Sequence, residues 1–207
     1  NNVKLGWDLT KKSWPSSFTD LNWRASLPDI IESGNIIDNL SKKQSLVLGL
    51  PKDLLVIAGT TDSNAAVLAA GASHNEAFTI LGSTLVLKTF VDQPLVDRSI
   101  TNHRVEGRWL SGGASNAGGA TLRKFFKDKE LKELSRQINP ELNSRIRLRP
   151  LSRIGERFPI DDPNLKPILE PRPISDSLYL HALLEGIANI ENEGWERLVK
   201  LGASKPR

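Results

Sequence analysis

The stretch that most limits what this chain can become runs from Leu54 to Gly71. Leu54-Leu55-Val56-Ile57-Ala58 is an unbroken apolar run, the pattern of a buried strand. Gly59-Thr60-Thr61-Asp62-Ser63-Asn64 supplies turn chemistry, and Ala65 to Gly71 is small and apolar, suited to a closely packed helix. The result is a strand–turn–helix unit with Asp62 at the mouth of the turn. Backbone N–H groups and the N-terminal end of a helix dipole favour an ionised carboxylate there.

On either side the punctuation is clear. Leu27-Pro28-Asp29-Ile30-Ile31 predicts a helix opening with proline in its first turn, and Lys42 to Leu48 a short helix ended near Gly49 and Pro51. Trp7, Trp14 and Trp23 among Pro, Ser and Asp point to short helices and packed loops. Ala77–Leu81 and Leu85–Phe90 read as a β-hairpin whose tip is Gly82-Ser83-Thr84. His103 to Leu110 predicts another strand, followed by a small-residue loop from Gly112 to Gly119. Helical spacing follows from about Ala120 to Phe126, and Lys129 to Ile138 predicts one more short helix. Pro150 to Pro173 reads as an ordered irregular loop, long for a compact domain and of a kind often functional. Ser175-Asp176 then caps a long amphipathic helix carrying Leu178, His181, Leu184, Ile187, Ile190 and Trp195 on its apolar stripe.

Composition narrows the chemistry. A hydrophobic fraction of 39% and a charged fraction of 25% are those of a globular chain, and no apolar run approaches the roughly 20 residues that span a bilayer. With no cysteine, disulfides and thiolate catalysis are excluded. Asn1-Asn2-Val3-Lys4 has no initiator Met and no leader pattern, and reads as a chain cut in mid-protein. The net charge of +4 is interspersed; its densest run, Arg145, Arg147, Arg149, Arg153 and Arg157, lacks the interleaved aromatics of a base-stacking surface, so nucleic-acid binding is not expected.

Three features carry chemistry. A carboxylate fixed at Asp62 suits a general base that takes a proton from a hydroxyl as a phosphoryl group arrives; its local context alone suits a helix cap better. The tip Gly82-Ser83-Thr84 and the loop Gly112 to Gly119 share another logic: glycines let backbone N–H groups approach a phosphate, and hydroxyls add donors. A tight turn and close helix packing explain the same residues. No Walker A loop and no G-x-S-x-G hydrolase signature occurs.

Taken in order, these motifs resemble the FGGY carbohydrate kinases. Leu27-Pro28 through Asn39-Leu40, then Gly49-Leu50 and Gly59-Thr60-Thr61-Asp62, match the approach to that family's catalytic aspartate. Leu81-Gly82-Ser83-Thr84 and Gly113-Ala114-Ser115-Asn116-Ala117-Gly118-Gly119 match its two phosphate-contacting segments. GTTDSNAA, LGSTLVLK, GGASNAGG, GERFPIDDP and PRP are similar to the ketopentose (D-ribulose or xylulose) kinases of cyanobacteria and plastids.

The resemblance implies an α/β, ribonuclease H-like (actin-like ATPase) fold, in part: residues 1–70 as the end of the sugar-side domain and 71–207 as the start of the ATP-side domain. It implies ATP with Mg²⁺ and a small sugar as ligands, Asp62 as catalytic base for the sugar's primary hydroxyl, and Ser63 as a sugar contact. Gly82, Ser83 and Thr84 would face the γ-phosphate, with Gly118 near the other phosphates. The expected reaction converts D-ribulose to its 5-phosphate, in cytoplasm or, alternatively, chloroplast stroma. D-xylulose or another polyol is the alternative substrate, and a non-catalytic sugar- or nucleotide-binding protein the alternative class. The family's D-x-G-T phosphate hairpin and its later adenosine loop are absent from this sequence, so residues 1–207 alone are expected to be inactive; Asp38 stands where many members carry glycine.

Among other candidates, His74, His103 and His181 have no paired metal-ligand spacing, and Asp161-Asp162 fits a turn beside Pro163. Glu156-Arg157 is expected to form an ion pair that orders the long loop.

Overall fold

The computed structural model describes residues 6–20, 26–71, 76–105 and 107–206. Trp23 and His74 lie outside the described residues. The chain divides into two compact units, Asn1–Ala72 with His103–Trp109, and Ser73–Asn102 with Leu110–Arg207. No helix among the described residues is long and apolar enough to cross a membrane.

The first unit contains a single helical turn, α1 (Ser16–Thr19), and strand β1 (Ile36–Asn39), followed by α2 (Lys42–Leu48), strand β2 (Leu55–Ile57) and α3 (Asp62–Ala69). Helix α2 ends where its sequence signals, Gly49 taking the left-handed region at φ 65°; at its start the Ser41 hydroxyl, not named from the sequence, accepts the Gln44 N–H. The helix expected from Pro28 does not form, and the segment runs on irregularly. Its continuation is drawn into pairing instead, Gly34 N–H donating to Ala58 O at 2.8 Å and Ala58 N–H to Asn35 O at 2.9 Å.

β1, unforeseen in the sequence, pairs antiparallel with β2 and carries a register irregularity between Ile36 and Asp38. Asp38 sits at that irregularity and its carboxylate accepts the Asn39 N–H. The apolar run at 54–58 is therefore a strand, but not a buried one. β2 belongs to a two-stranded sheet, and all three of its residues are exposed. Ile36, Ile37, Leu46, Val47, Leu48 and Leu50 are exposed with it.

The second unit is built on a four-stranded sheet of order β3-β4-β6-β5. β3 (Ala77–Leu81) and β4 (Leu85–Val91) form the expected hairpin, in register from Ala77↔Thr89 to Leu81↔Leu85. The strand expected at 103–110 is instead two, β5 (Thr101–Val105) and β6 (Arg108–Ser115), with Gly107 at φ 74° in the turn. Their connecting end, His103–Trp109, counts with the first unit, where the Arg104 guanidinium lies 4.8 Å from the Trp109 ring centroid. β6 consumes Gly112 to Ser115, which the sequence assigns to a loop. A Cβ on Gly112 would stand 2.0 Å from the Leu87 carbonyl oxygen of β4, and one on Gly113 2.2 Å from the Phe158 ring. These glycines let strand and loop close on each other.

Short helices α4 (Gly119–Leu122) and α5 (Asp128–Ser135) precede the irregular stretch and α6 (Asp176–Lys200). The Ser175 hydroxyl caps α6 by accepting the Leu178 N–H. The buried face of α6 is broader than the expected stripe: Tyr179, Leu180, Leu183, Ile187, Ile190 and Leu198 are buried, Leu184 and Trp195 pack half-buried against the same core, and Leu178 at the helix start is exposed. Gly186 and Gly194 let neighbours close in on this face; a Cβ on Gly194 would meet Leu87 Cδ1 at 2.5 Å and Phe158 at 2.8 Å. Fully burying each large side chain here contributes roughly 1.5–3 kcal/mol relative to exposure.

Candidate active site

Asp62 is the first residue of α3. Thr61, extended at φ −76° and ψ 154°, occupies the cap position and makes no side-chain capping bond. The Asp62 carboxylate does part of that work: its Oδ1 accepts the Ser63 N–H at 2.7 Å. Its Oδ2 has no partner among the described residues, and the side chain is exposed. The helix end thus steadies one oxygen and leaves the other available. Asn64, buried on the same turn, donates from Nδ2 to Thr60 Oγ1 at 3.3 Å and ties the turn to the helix.

Beside the turn lies a cavity of about 370 Å³, lined by Asp29, Ile31, Gly59, Thr60 and Thr61 among others. Thr61 Oγ1 is buried without a hydrogen-bond partner among the described residues, a polar atom whose desolvation is uncompensated. Sequence reasoning missed it because a threonine in a turn carries no distinctive signal.

In the second unit, the hairpin tip and the loop after β6 are brought together. Leu85 N–H donates to Ala117 O at 2.7 Å, Gly119 N–H to Gly82 O at 2.8 Å and Ala120 N–H to Ser83 O at 3.2 Å. Gly118, at φ 141° and ψ −165°, makes this approach feasible, since a Cβ there would lie 2.8 Å from Ser83 O. The sequence offered the N-terminal N–H groups of this helix to a phosphate. Two of them, on Gly119 and Ala120, are already committed to hairpin carbonyls, because the tip folds directly over the helix start. The N–H groups of Ser83 and Thr84 and the two hydroxyls of the tip have no partner among the described residues, whereas the Gly118 N–H faces the Pro150 carbonyl across the bridge between Ala117 and Leu151. Ser83 is exposed and Thr84 half-buried, so these four donors are presented at the tip itself.

The loop between β6 and α4 is held from behind by the long irregular stretch. The Glu156 carboxylate is 2% exposed and accepts three hydrogen bonds: Ser115 Oγ at 2.6 Å, Asn116 N at 2.8 Å and Arg157 N at 2.9 Å. The expected Glu156–Arg157 ion pair is absent among the described residues. Buried against the loop, the carboxylate is engaged by nearer donors, two of them backbone N–H groups.

No family model matches this sequence. Solved structures do match it in shape: a ligand-bound xylulose kinase from Lactobacillus acidophilus, at 21% identity and a TM-score of 0.77, covers 97% of this chain and 44% of its own. A gluconate kinase from the same organism gives 22% identity and 0.77 over the same shares, and a glycerol kinase from Plasmodium falciparum with ADP gives 15% and 0.71 over 95% and 42%. The chain carries part of the sugar-kinase fold. It spans less than half the length of these kinases.

Within this kinase fold the remaining sequence candidates have structural partners. His103 is buried in β5, and His181 Nε2 lies 3.5 Å from Glu185 Oε1 one helical turn away. Asp162 Oδ1 accepts the Asn164 N–H, and its backbone bridges to Glu156. Arg149, within the basic run, makes a bidentate pair with Glu193 at 3.1 and 2.7 Å. Among the described residues no three His, Asp or Glu side chains converge to hold a metal ion. Mg²⁺ is commonly held by one or two carboxylates together with nucleotide phosphates and water.

Proposed function

We propose that this chain belongs to an ATP-dependent kinase that phosphorylates a ketopentose, with D-ribulose giving its 5-phosphate as the favoured reaction. Asp62 takes the proton from the sugar's primary hydroxyl as that oxygen bonds to the γ-phosphorus. The bond from the γ-phosphorus to the β,γ-bridging oxygen breaks, and ADP leaves. Ser63 and the Thr61 hydroxyl contact the sugar. Gly82, Ser83 and Thr84 face the γ-phosphate through their N–H groups and hydroxyls, and Gly118 lies near the other phosphates. On this reading residues 1–70 belong to the sugar-side domain and 71–207 to the ATP-side domain.

The observation that carries the reading is the half-engaged Asp62 carboxylate, Oδ1 fixed by Ser63 and Oδ2 open, at a helix start in a chain of sugar-kinase fold. A base held this way stays in register with a hydroxyl without needing a strongly shifted pKa. The proteins of similar shape include three named xylulose kinases, which favours D-xylulose as the alternative substrate. The ribulose choice rests on the motif resemblance alone.

ADP release by the full-length gene product, measured with D-ribulose, D-xylulose and glycerol in turn, tests the reading. Turnover with D-ribulose highest is the expected result; a preference for D-xylulose replaces the substrate and keeps the chemistry. Asp62→Asn is expected to lower kcat by about 10²–10⁴-fold with ATP binding nearly unchanged. Unaltered turnover removes Asp62 as the base, and sugar or nucleotide binding without any turnover by the wild type favours the non-catalytic class.

A further inference from the structure

We propose that Glu156 is the positioning residue of the phosphate-binding segments, acting through the Ser115–Gly118 loop. The inference rests on the kinase reading above for what those segments hold, but its geometry is independent of it. Glu156 lies about 40 residues along the chain from the loop, inside the irregular stretch, and touches none of the groups assigned to sugar or ATP.

Its carboxylate divides its work between two oxygens. Oε1 accepts the N–H groups of Asn116 and Arg157, and Oε2 accepts the Ser115 hydroxyl. A serine hydroxyl has one proton, so giving it to Glu156 leaves Oγ as an acceptor, and it takes the Ala117 N–H at 2.9 Å. Ala117 in turn accepts Leu85 N–H at the base of the hairpin tip. The chain of bonds from Glu156 through Ser115 and Ala117 to Leu85 sets where Thr84 and Gly118 stand relative to each other.

The same short stretch adds two bonds to the loop, Asn116 Nδ2 to Gly155 O at 2.6 Å and Ser152 N–H to Asn116 O at 2.9 Å. Gly155, at φ 90°, packs against the Pro163 carbonyl, where a Cβ would stand at 2.8 Å. A buried carboxylate is costly to desolvate unless hydrogen bonds compensate it, so a sequence does not place one behind a loop for packing alone. What the two loop donors, Ser115 Oγ and Asn116 N, return is orientation: the loop backbone has one arrangement in which both are met.

The test uses the full-length gene product. Glu156→Ala is expected to raise KM for ATP at least tenfold, with KM for the sugar within twofold. Amide hydrogen exchange is expected to quicken at residues 83–85 and 115–120 and to stay unchanged along 179–198. Glu156→Gln keeps an acceptor for Asn116 and Arg157 and is expected to recover most of the ATP affinity.

An unchanged KM for ATP in Glu156→Ala overturns the proposal, as does exchange that rises evenly across the second unit or a glutamine variant no better than alanine. Should Glu156→Ala fail to fold, Ser115→Ala cuts only the relay to Ala117; a threefold or larger rise in KM for ATP supports the proposal and no rise defeats it. Failure of the kinase reading is distinguishable. If the wild type itself takes no ATP, that reading falls together with the role toward phosphate, whereas a wild type that binds ATP beside indifferent Glu156 variants removes the positioning role alone.

Discussion

Gly118→Ala puts the closest approach in the candidate phosphate site under direct stress. Gly118 has φ 141° and ψ −165°, a region held almost only by glycine, and the added Cβ would stand 2.8 Å from Ser83 O and 2.9 Å from Thr84 Cα. The backbone strain is of order 1–3 kcal/mol. Relieving the contact adds a similar overpacking cost of roughly 1–3 kcal/mol. Both obstacles are backbone atoms, so no side chain can swing aside. Either the hairpin tip retreats by about half an ångström or the loop loses its bond from Gly119 to Gly82.

For a chain of this size each kcal/mol moves Tm by about 2–4 °C, so Gly118→Ala is expected to lower Tm by at least about 4 °C. It should also raise KM for ATP, because the Ser83 and Thr84 donors move with the tip. Thermal unfolding and ATP-dependent kinetics read the two effects on one preparation. Gly82→Ala is the control for stability: its Cβ would find only Thr84 O at 3.8 Å, an ordinary contact, and its φ is not in the left-handed region. A Gly118→Ala protein as stable as the Gly82→Ala control, with an unchanged KM for ATP, would refute the close-approach argument.

Gly112→Ala tests the fold rather than the site. Its Cβ would stand 2.0 Å from Leu87 O, so β4 and β6 must part, and a loss of Tm larger than that of Gly118→Ala is expected in the same melt. Asp97 supplies a pH test. The Ser99 hydroxyl above all, then the Ser99 N–H and Arg197, hold its carboxyl below the usual carboxylate range. A depressed carboxyl contributes stability that is present above its unfolded pKa and lost as pH falls through the folded one. Asp97→Asn is therefore expected to flatten the acid side of the stability–pH curve while leaving the slope near neutrality alone, as read from urea midpoints between pH 2 and 7.

The hairpin of β3 and β4, the end of α2, the cap of α6 and the irregular stretch before α6 were legible because each rests on local chemistry. Ser175 finds an N–H group three residues on, and Gly49 takes the left-handed turn. What was not legible depends on partners far along the chain. The apolar pattern of Leu54 to Ala58 signals a strand but not how many layers cover it, and the structure gives that strand one neighbour. The full breadth of the buried face of α6 was not legible, because Gly194 admits β4 and Phe158 there, which hydrophobic spacing does not register. The turn at Gly107 was hidden by apolar residues on both sides that read as one strand.

The same difference decides how the glycines of the site are to be read. Sequence logic treats a glycine-rich run as a cradle for phosphate, yet Gly112 and Gly113 are spent on packing against Leu87 and Phe158, and Gly119 donates to the hairpin. A glycine admits close approach of any backbone, that of its own protein as readily as a ligand's oxygen. The discriminating quantity is therefore not glycine content but which N–H groups remain unengaged once the chain has satisfied itself. By that measure the phosphate-facing surface shrinks from the tip and an eight-residue loop to Ser83 and Thr84 of the tip, and the loop becomes the scaffold that holds them. The same accounting at α3 leaves one oxygen of Asp62 and the hydroxyl of Thr61 open. Each is a group that a ligand, and nothing else among the described residues, would satisfy.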